Sequence, residues 1–134
     1  MSTPPRRSID EILARARDGL DRLDAHAAQE AVRQGAVLVD IRPQLNRQTE
    51  GLIPGAVVID RNVLEWRLDP SSDARLPLAD YDLHVVLVCN EGYASSLASA
   101  TLRDIGIARA TDLIGGYRAW QSAGLPTVAY RGED

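Results

Sequence analysis

Lysine is missing from this 134-residue chain, and all fifteen basic residues are arginine. That absence removes the amine needed for a Schiff base and the phosphate-binding lysine of a P-loop. Cysteine is almost missing too: Cys89 stands alone, so no internal disulfide can form. One cysteine and two widely separated histidines, His26 and His84, do not make a zinc site of the usual spacing, and the expectation is no metal and no cofactor. There is no long basic stretch and the formal net charge is −4, which argues against a nucleic-acid or anionic-membrane partner. No segment approaches membrane-spanning length, and residues 1–7 lack an apolar signal core. The expected setting is a soluble, cytoplasmic one, where a lone thiol stays reduced.

What remains is enough for one domain. A chain of 134 residues with 45% hydrophobic content can bury a single core. Ser8 followed by Glu11 is a capping-box pattern, and Ile9, Ile12, Leu13, Ala16 and Leu20 share a helical face, which predicts a helix over 8–19. A short edge strand over 20–23 and a helix from an Asp24 cap to Gln34, stopped by Gly35, follow. Strand and helix signals then alternate. Strands are predicted over 36–40, 56–59, 85–88 and 111–114, and helices from an Asn62 cap to Leu68, over 95–105 and over 117–123. Residues 71–80 read as a polar loop. Such alternation predicts an α/β fold, a mostly parallel sheet covered by helices on both faces, with functional loops beyond the carboxyl ends of the strands.

Cys89 falls at such an end. The apolar run Val85-Val86-Leu87-Val88 delivers it to the turn Asn90-Glu91-Gly92-Tyr93-Ala94, and a helix follows from Ser95. Loop N–H groups and a helix N-terminus favour thiolate over thiol, and thiolate is the nucleophile. Gly92 suits a tight loop through its access to positive φ, and the hydroxyls of Ser95 and Ser96 can serve the helix start. The competing reading of Cys89 is an inert buried thiol.

Four segments in order carry a resemblance: Asp40-Ile41-Arg42, Glu50-Gly51-Leu52-Ile53-Pro54-Gly55-Ala56, Cys89-Asn90-Glu91-Gly92-Tyr93-Ala94-Ser95, and Gly115-Gly116-Tyr117-Arg118-Ala119-Trp120 with Gly124-Leu125-Pro126. Together they resemble the signature segments of the rhodanese-like sulfurtransferase domain. The resemblance spans 20–130, leaving 1–19 as an N-terminal helical extension and 131–134 as a short tail. It implies that Cys89 accepts a sulfane sulfur, becomes a persulfide and passes the outer sulfur to cyanide or a thiol. Small sulfur donors and thiol acceptors, or a protein donor or acceptor, are then the partners. Asn90, Glu91, Gly92, Tyr93, Ala94 and Ser95 form the substrate cradle, Arg42 is a further substrate-binding candidate, and Asp40 has an architectural role.

The departures from that pattern shape the expected chemistry. Active members often carry arginine at the sixth loop position, where Ala94 stands, and Glu91 adds negative charge near the pocket unless it points into solvent. Both argue for weak thiosulfate activity and for a less anionic persulfide donor. Arg47 and Arg61 read as surface arginines, and Tyr93 as one wall of the substrate entrance. Tyr117 and Trp120 have helical spacing and read as core. His84 opens the strand that Cys89 ends, about 16 Å away at strand rise, which excludes it as the base of a Cys–His hydrolase. His26 reads as a surface residue. Two alternatives remain: a non-catalytic binding or regulatory module on the same fold, and a cysteine-dependent phosphatase or arsenate reductase, for which the loop lacks the arginine that would close on phosphate.

Overall fold

A computed structural model describes residues 3–132; the first two residues of the predicted extension and the last two of the predicted tail lie outside them. The two β-branched stretches Val37–Asp40 (β1) and Val85–Val88 (β3) pair in parallel at the centre of the sheet, with Val37 opposite Val85 and Asp40 opposite Val88. Val57–Val58 (β2) flanks β1 and Thr111–Asp112 (β4) flanks β3, giving the all-parallel order β2-β1-β3-β4. Both outer strands are shorter than their apolar runs predict. The expected edge strand over 20–23 reduces to one parallel bridge between Leu23 and Leu113.

Side chains alternate across a strand, and that alternation sorts the core into two layers. Val39, Ile41, Val85, Leu87 and Cys89 face one side, packed with Leu64 and Leu68 of Leu64–Leu68 (α4) and with Ala98 and Leu102 of Ala94–Ile105 (α5). Leu38, Val86 and Val88 face the other, against Ala25 and Ala28 of Ala25–Arg33 (α2) and Tyr117 and Trp120 of Gly116–Ser122 (α6). Each fully buried Val or Leu contributes roughly 1.5–3 kcal/mol, so burial on both faces fixes the central strands and thereby the rim where their loops begin. The result is one α/β domain with helices on both sides of a parallel sheet.

The N-terminal helix Ile9–Arg17 (α1) has the predicted capping box, with Ser8 accepting from the Glu11 N–H and the Glu11 carboxylate accepting from the Ser8 N–H. Its apolar stripe behaves otherwise than expected. Leu13 is the buried residue of α1, while Ile9 remains 63% exposed and Ile12 43%. The helix nonetheless rests on α5, and polar contacts from its last turn hold it there.

Two local features depart from the sequence reading. Gln44–Glu50 (α3) follows Pro43 as a seven-residue helix that no apolar stripe announces. Its inward residue is Arg47, expected at the surface but buried, with Nη1 donating to the Arg42 carbonyl at 2.6 Å. Before α4 the cap is Asp60, which accepts from the Asn62 N–H at 2.8 Å and starts the 3₁₀ turn Arg61–Val63; Asn62 is capped rather than capping.

The end of β1 is tied down by a buried ion pair. Asp40 accepts from the Arg42 backbone N–H at 3.0 Å and from Arg42 Nη2 at 2.8 Å, and the same Nη2 donates to the Gly51 carbonyl at 2.7 Å. The Arg42 guanidinium lies 4.0 Å from the centroid of the Tyr117 ring, whose hydroxyl donates to the Glu50 carbonyl. Arg42 therefore fastens β1, the 50–51 turn and α6 to one another. Arg42 is 2% exposed and paired with Asp40, while its Nη1 is buried without a hydrogen-bond partner. Asp40, itself 1% exposed, is the carboxylate of this buried pair. Removing one partner of a buried pair leaves an uncompensated charge, so Arg42→Gln is expected to lower unfolding stability by about 3–5 kcal/mol, measured by urea denaturation.

Candidate active site

The sulfur of Cys89 is held at the point where β3 leaves the sheet. Its residue is buried, with 7% of its surface open, and it is a free cysteine. The Gly92 N–H donates to Sγ at 3.1 Å, and Sγ lies 3.2 Å from Ser95 Oγ at the start of α5. The first-turn N–H groups of a helix lack intrahelical acceptors, so the sulfur sits beside the positive end of α5. The loop amide turned onto Sγ belongs to Gly92; the wider ring of N–H groups expected from Asn90 to Ser95 narrows to that donor and one hydroxyl.

Loop direction follows from where its carbonyls go. The Cys89 carbonyl accepts from the Tyr117 N–H at 2.9 Å and the Asn90 carbonyl from the Arg118 N–H at 3.2 Å, so the opening turn of α6 captures both. This approach requires glycine. A Cβ on Gly116 would lie 2.5 Å from the Cys89 carbonyl oxygen, and one on Gly92, whose φ is +88°, would lie 2.6 Å from the Gly115 nitrogen. With those carbonyls turned toward α6, the Gly92 amide is left facing the sulfur.

A buried carboxylate supports the other side. Asp112 of β4 is fully buried and accepts from Ser95 Oγ at 2.7 Å, Ser96 Oγ at 2.8 Å and Arg22 Nε at 2.8 Å. Arg22 also donates through Nη2 to the Gly92 carbonyl at 3.1 Å, and Arg17 of α1 donates to that same carbonyl at 2.8 Å. Arg17 Nε reaches Ser96 Oγ at 3.0 Å, and its guanidinium stands 5.7 Å from the Tyr93 ring centroid. Arg17, Arg22 and Asp112 are absent from the site expected on sequence grounds. The available signal was Asp112 itself, a carboxylate inside a predicted buried strand, which demands partners.

The outer face of the loop is charged and open. Glu91 points outward, 53% exposed, and is paired to Arg118 at 2.7 Å; Arg118 also contacts Glu50 at 3.2 Å. The Arg118 hydrogen bond holds the Glu50 carboxyl below its ordinary range, and Glu50 in turn raises Arg118. Asn90 leans the same way, its Nδ2 donating to Glu50 Oε2 at 3.0 Å. Ala94 is exposed as the first residue of α5, and Tyr93 is exposed just before it. Ser95 is buried within α5, so of the expected cradle Gly92 and Ser95 touch the sulfur, while Asn90, Glu91, Tyr93 and Ala94 border it.

Beside the loop, at the carboxyl ends of β1 and β2, a cleft of about 500 Å³ is lined by Arg42, Arg47, Asp60, Arg61 and Asn62, among others. Arg42 is met there by Asp40 and Arg61 by Glu65 at 2.8 Å. His84 is remote from this rim: its carbonyl accepts from the Val37 N–H at the opposite end of the sheet, and burial pushes its imidazole pKa down. His26 is exposed on α2. Tyr117 and Trp120 are core, with Trp120 Nε1 donating to the Pro126 carbonyl, and burial pushes the Tyr117 hydroxyl up.

Comparison with known proteins places this geometry. A "Sulfurtransferase" of Allochromatium vinosum is 33% identical over 99 residues, 74% of this chain and 84% of that protein. The maize "Adenylyltransferase and sulfurtransferase MOCS3-2" is 36% identical over 84 residues, 63% of this chain; the match spans 17% of that longer protein. A solved structure from Rhodopseudomonas palustris, described as a protein of unknown function and possible tyrosine phosphatase, superposes with a TM-score of 0.83 at 32% identity, covering 95% of this chain and 98% of that one. The family model described as Rhodanese-like domain matches residues 21–123, and with the sulfur at the β3 rim and the signature turns around it, the chain belongs to the rhodanese-like domain family.

Proposed function

We propose that the protein is a sulfurtransferase in which Cys89 carries the transferred sulfur as a persulfide. The observation that bears most weight is the Gly92 N–H on Sγ, which directs a main-chain donor at the atom that gains negative charge. In the first half-reaction the Cys89 thiolate attacks the outer, sulfane sulfur of a donor. A new S–S bond forms, the donor's own bond to that sulfur breaks, and its electron pair leaves with the remainder of the donor. An acceptor thiolate or cyanide then attacks the outer sulfur, and Cys89 departs as thiolate. Neither step calls for a metal or an added reductant.

The charges around the loop support a donor less anionic than thiosulfate. Ala94 leaves the sixth loop position uncharged, and Arg42 and Arg61 in the adjoining cleft are each paired with a carboxylate. Glu91, paired outward with Arg118, presents no favourable charge to an anion. A persulfide on a small thiol, or on a protein delivered to the open loop face, meets these conditions. The phosphatase description attached to the Rhodopseudomonas protein is not adopted for this chain, because Ala94, Ser95 and Ser96 supply no guanidinium to close the loop over phosphate.

Exposure to sulfane-sulfur donors is expected to add one sulfur to the intact mass of the wild type and none to Cys89→Ser. A wild type that gains no sulfur from any donor, while remaining folded, favours the non-catalytic module. Phosphatase turnover that disappears in the same variant favours the third chemistry. Ala94→Arg is expected to raise thiosulfate:cyanide turnover on the order of tenfold, the scale of one hydrogen bond to a charged group. The exposed position has room for the longer side chain. No gain in a folded variant refutes the charge account.

A further inference from the structure

The hydroxyl of Ser95 has one proton and two claimants. Asp112 Oδ2 lies 2.7 Å away and Cys89 Sγ 3.2 Å away. A buried carboxylate only accepts, so in the resting arrangement Ser95 donates to Asp112 and offers a lone pair to the Cys89 S–H. A thiolate cannot use a lone pair. When the S–H proton leaves to solvent, Ser95 must turn its own proton from Asp112 to sulfur if the anion is to gain a second donor beside the Gly92 N–H. What Asp112 retains after that turn decides how readily the turn occurs. It keeps Ser96 at 2.8 Å and both Arg22 contacts, at 2.8 and 3.2 Å.

The geometry points to Arg22 as a positioning residue for the nucleophile: by neutralising Asp112 it releases the Ser95 proton to the Cys89 thiolate. This rests on Cys89 being the nucleophile of the proposed transfer. Arg22 Nη2 and Arg17 Nη2 also hold the Gly92 carbonyl, so the two guanidiniums set the residue whose amide faces the sulfur. Cations that the family often places inside the loop are here supplied from behind it, by α1 and the segment leading to α2. The charged groups bearing on the sulfur from the elements packed around it are Arg17 of α1, Arg22, Asp112 of β4, and, on the outer face, Glu91 with Arg118. Glu91 and Glu50 share Arg118 on the outer face, where solvent screens their excess negative charge and leaves the balance to the buried set.

The test is alkylation of Cys89 by iodoacetamide in the full chain, followed by mass across a pH range. Arg22→Gln is expected to slow alkylation at neutral pH by about tenfold, the scale of a charge-assisted hydrogen bond, and to move the rate profile to higher pH. Arg22→Lys recovers part of the rate. In a Ser95→Ala background, where no proton remains to be released, Arg22→Gln slows alkylation several-fold less than it does with Ser95 present, the remainder reflecting its contact with the Gly92 carbonyl; a loosened fold does not produce that coupling. Equal slowing in both backgrounds, or none in either, overturns the assignment. Should Arg22→Gln not fold by circular dichroism, Asp112→Asn carries the test with opposite sign. Its amide donates to Ser95 and frees the hydroxyl proton, so alkylation rises several-fold, and a fall or no change overturns the proposal. Iodoacetamide reads the thiolate directly, so a wild type that alkylates but takes up no sulfur refutes the transfer reading while leaving this one standing.

Discussion

A carboxylate with no access to water organises the end of the sheet where Cys89 lies. Asp112 is fully buried, and an ion moved out of water without partners carries a penalty of several kcal/mol. The chain meets that penalty with three partners drawn from distant parts of the sequence: Ser95 and Ser96 from the start of α5, and Arg22 from the segment before α2. Satisfying one atom group therefore fixes β4, α5 and the N-terminal segment relative to one another. Cys89 touches the same network through Ser95, so the sulfur inherits its position from that electrostatic requirement as well as from β3.

A second constraint, steric rather than electrostatic, completes the loop. The opening turn of α6 takes the carbonyls of Cys89 and Asn90, and only glycine at 116 lets the chains approach so closely. With carbonyls drawn toward α6 on one side and the Gly92 carbonyl drawn to Arg17 and Arg22 on the other, the Gly92 N–H has the sulfur as its acceptor. The loop is thus oriented by what surrounds it. Preorganised donors of this kind need no rearrangement when charge develops on sulfur.

How much of this was legible in the sequence depended on the period of the signal. The central strands, helices α2 and α5, and the α1 capping box rest on local patterns, and they form where those patterns lie. Helix α3 was not legible because its residues are polar and its inward position is taken by Arg47, whose aliphatic stem and buried hydrogen bond do the work of a leucine. The apolar stripe of α1 misled in the opposite way: Ile9 and Ile12 have helical spacing yet stay exposed, since arginine contacts from its last turn dock that helix. In the site, Cys89 and Gly92 were legible from the strand-to-turn pattern. Arg17, Arg22 and Asp112 were not, because their relation exists only across separations of 70 to 90 residues that folding closes.

Arg42 and Arg22 show why residue type alone does not assign a role. Both are largely buried arginines paired bidentately with an aspartate near the carboxyl-end rim of the sheet, yet they act on different things. The Arg42 pair joins β1 to Gly51 and Tyr117, and no atom of it touches the sulfur's partners. The Arg22 pair shares its carboxylate with Ser95, which contacts Sγ, so a change in that pair reaches the sulfur through one hydroxyl. A guanidinium carries five donors, and Arg42 keeps Nη1 outside its contacts with Asp40 and Gly51. The buried Arg22 pair thus bears on the sulfur from behind the loop, while the loop's exposed face is bounded by Tyr93, Ala94 and the Glu91–Arg118 pair.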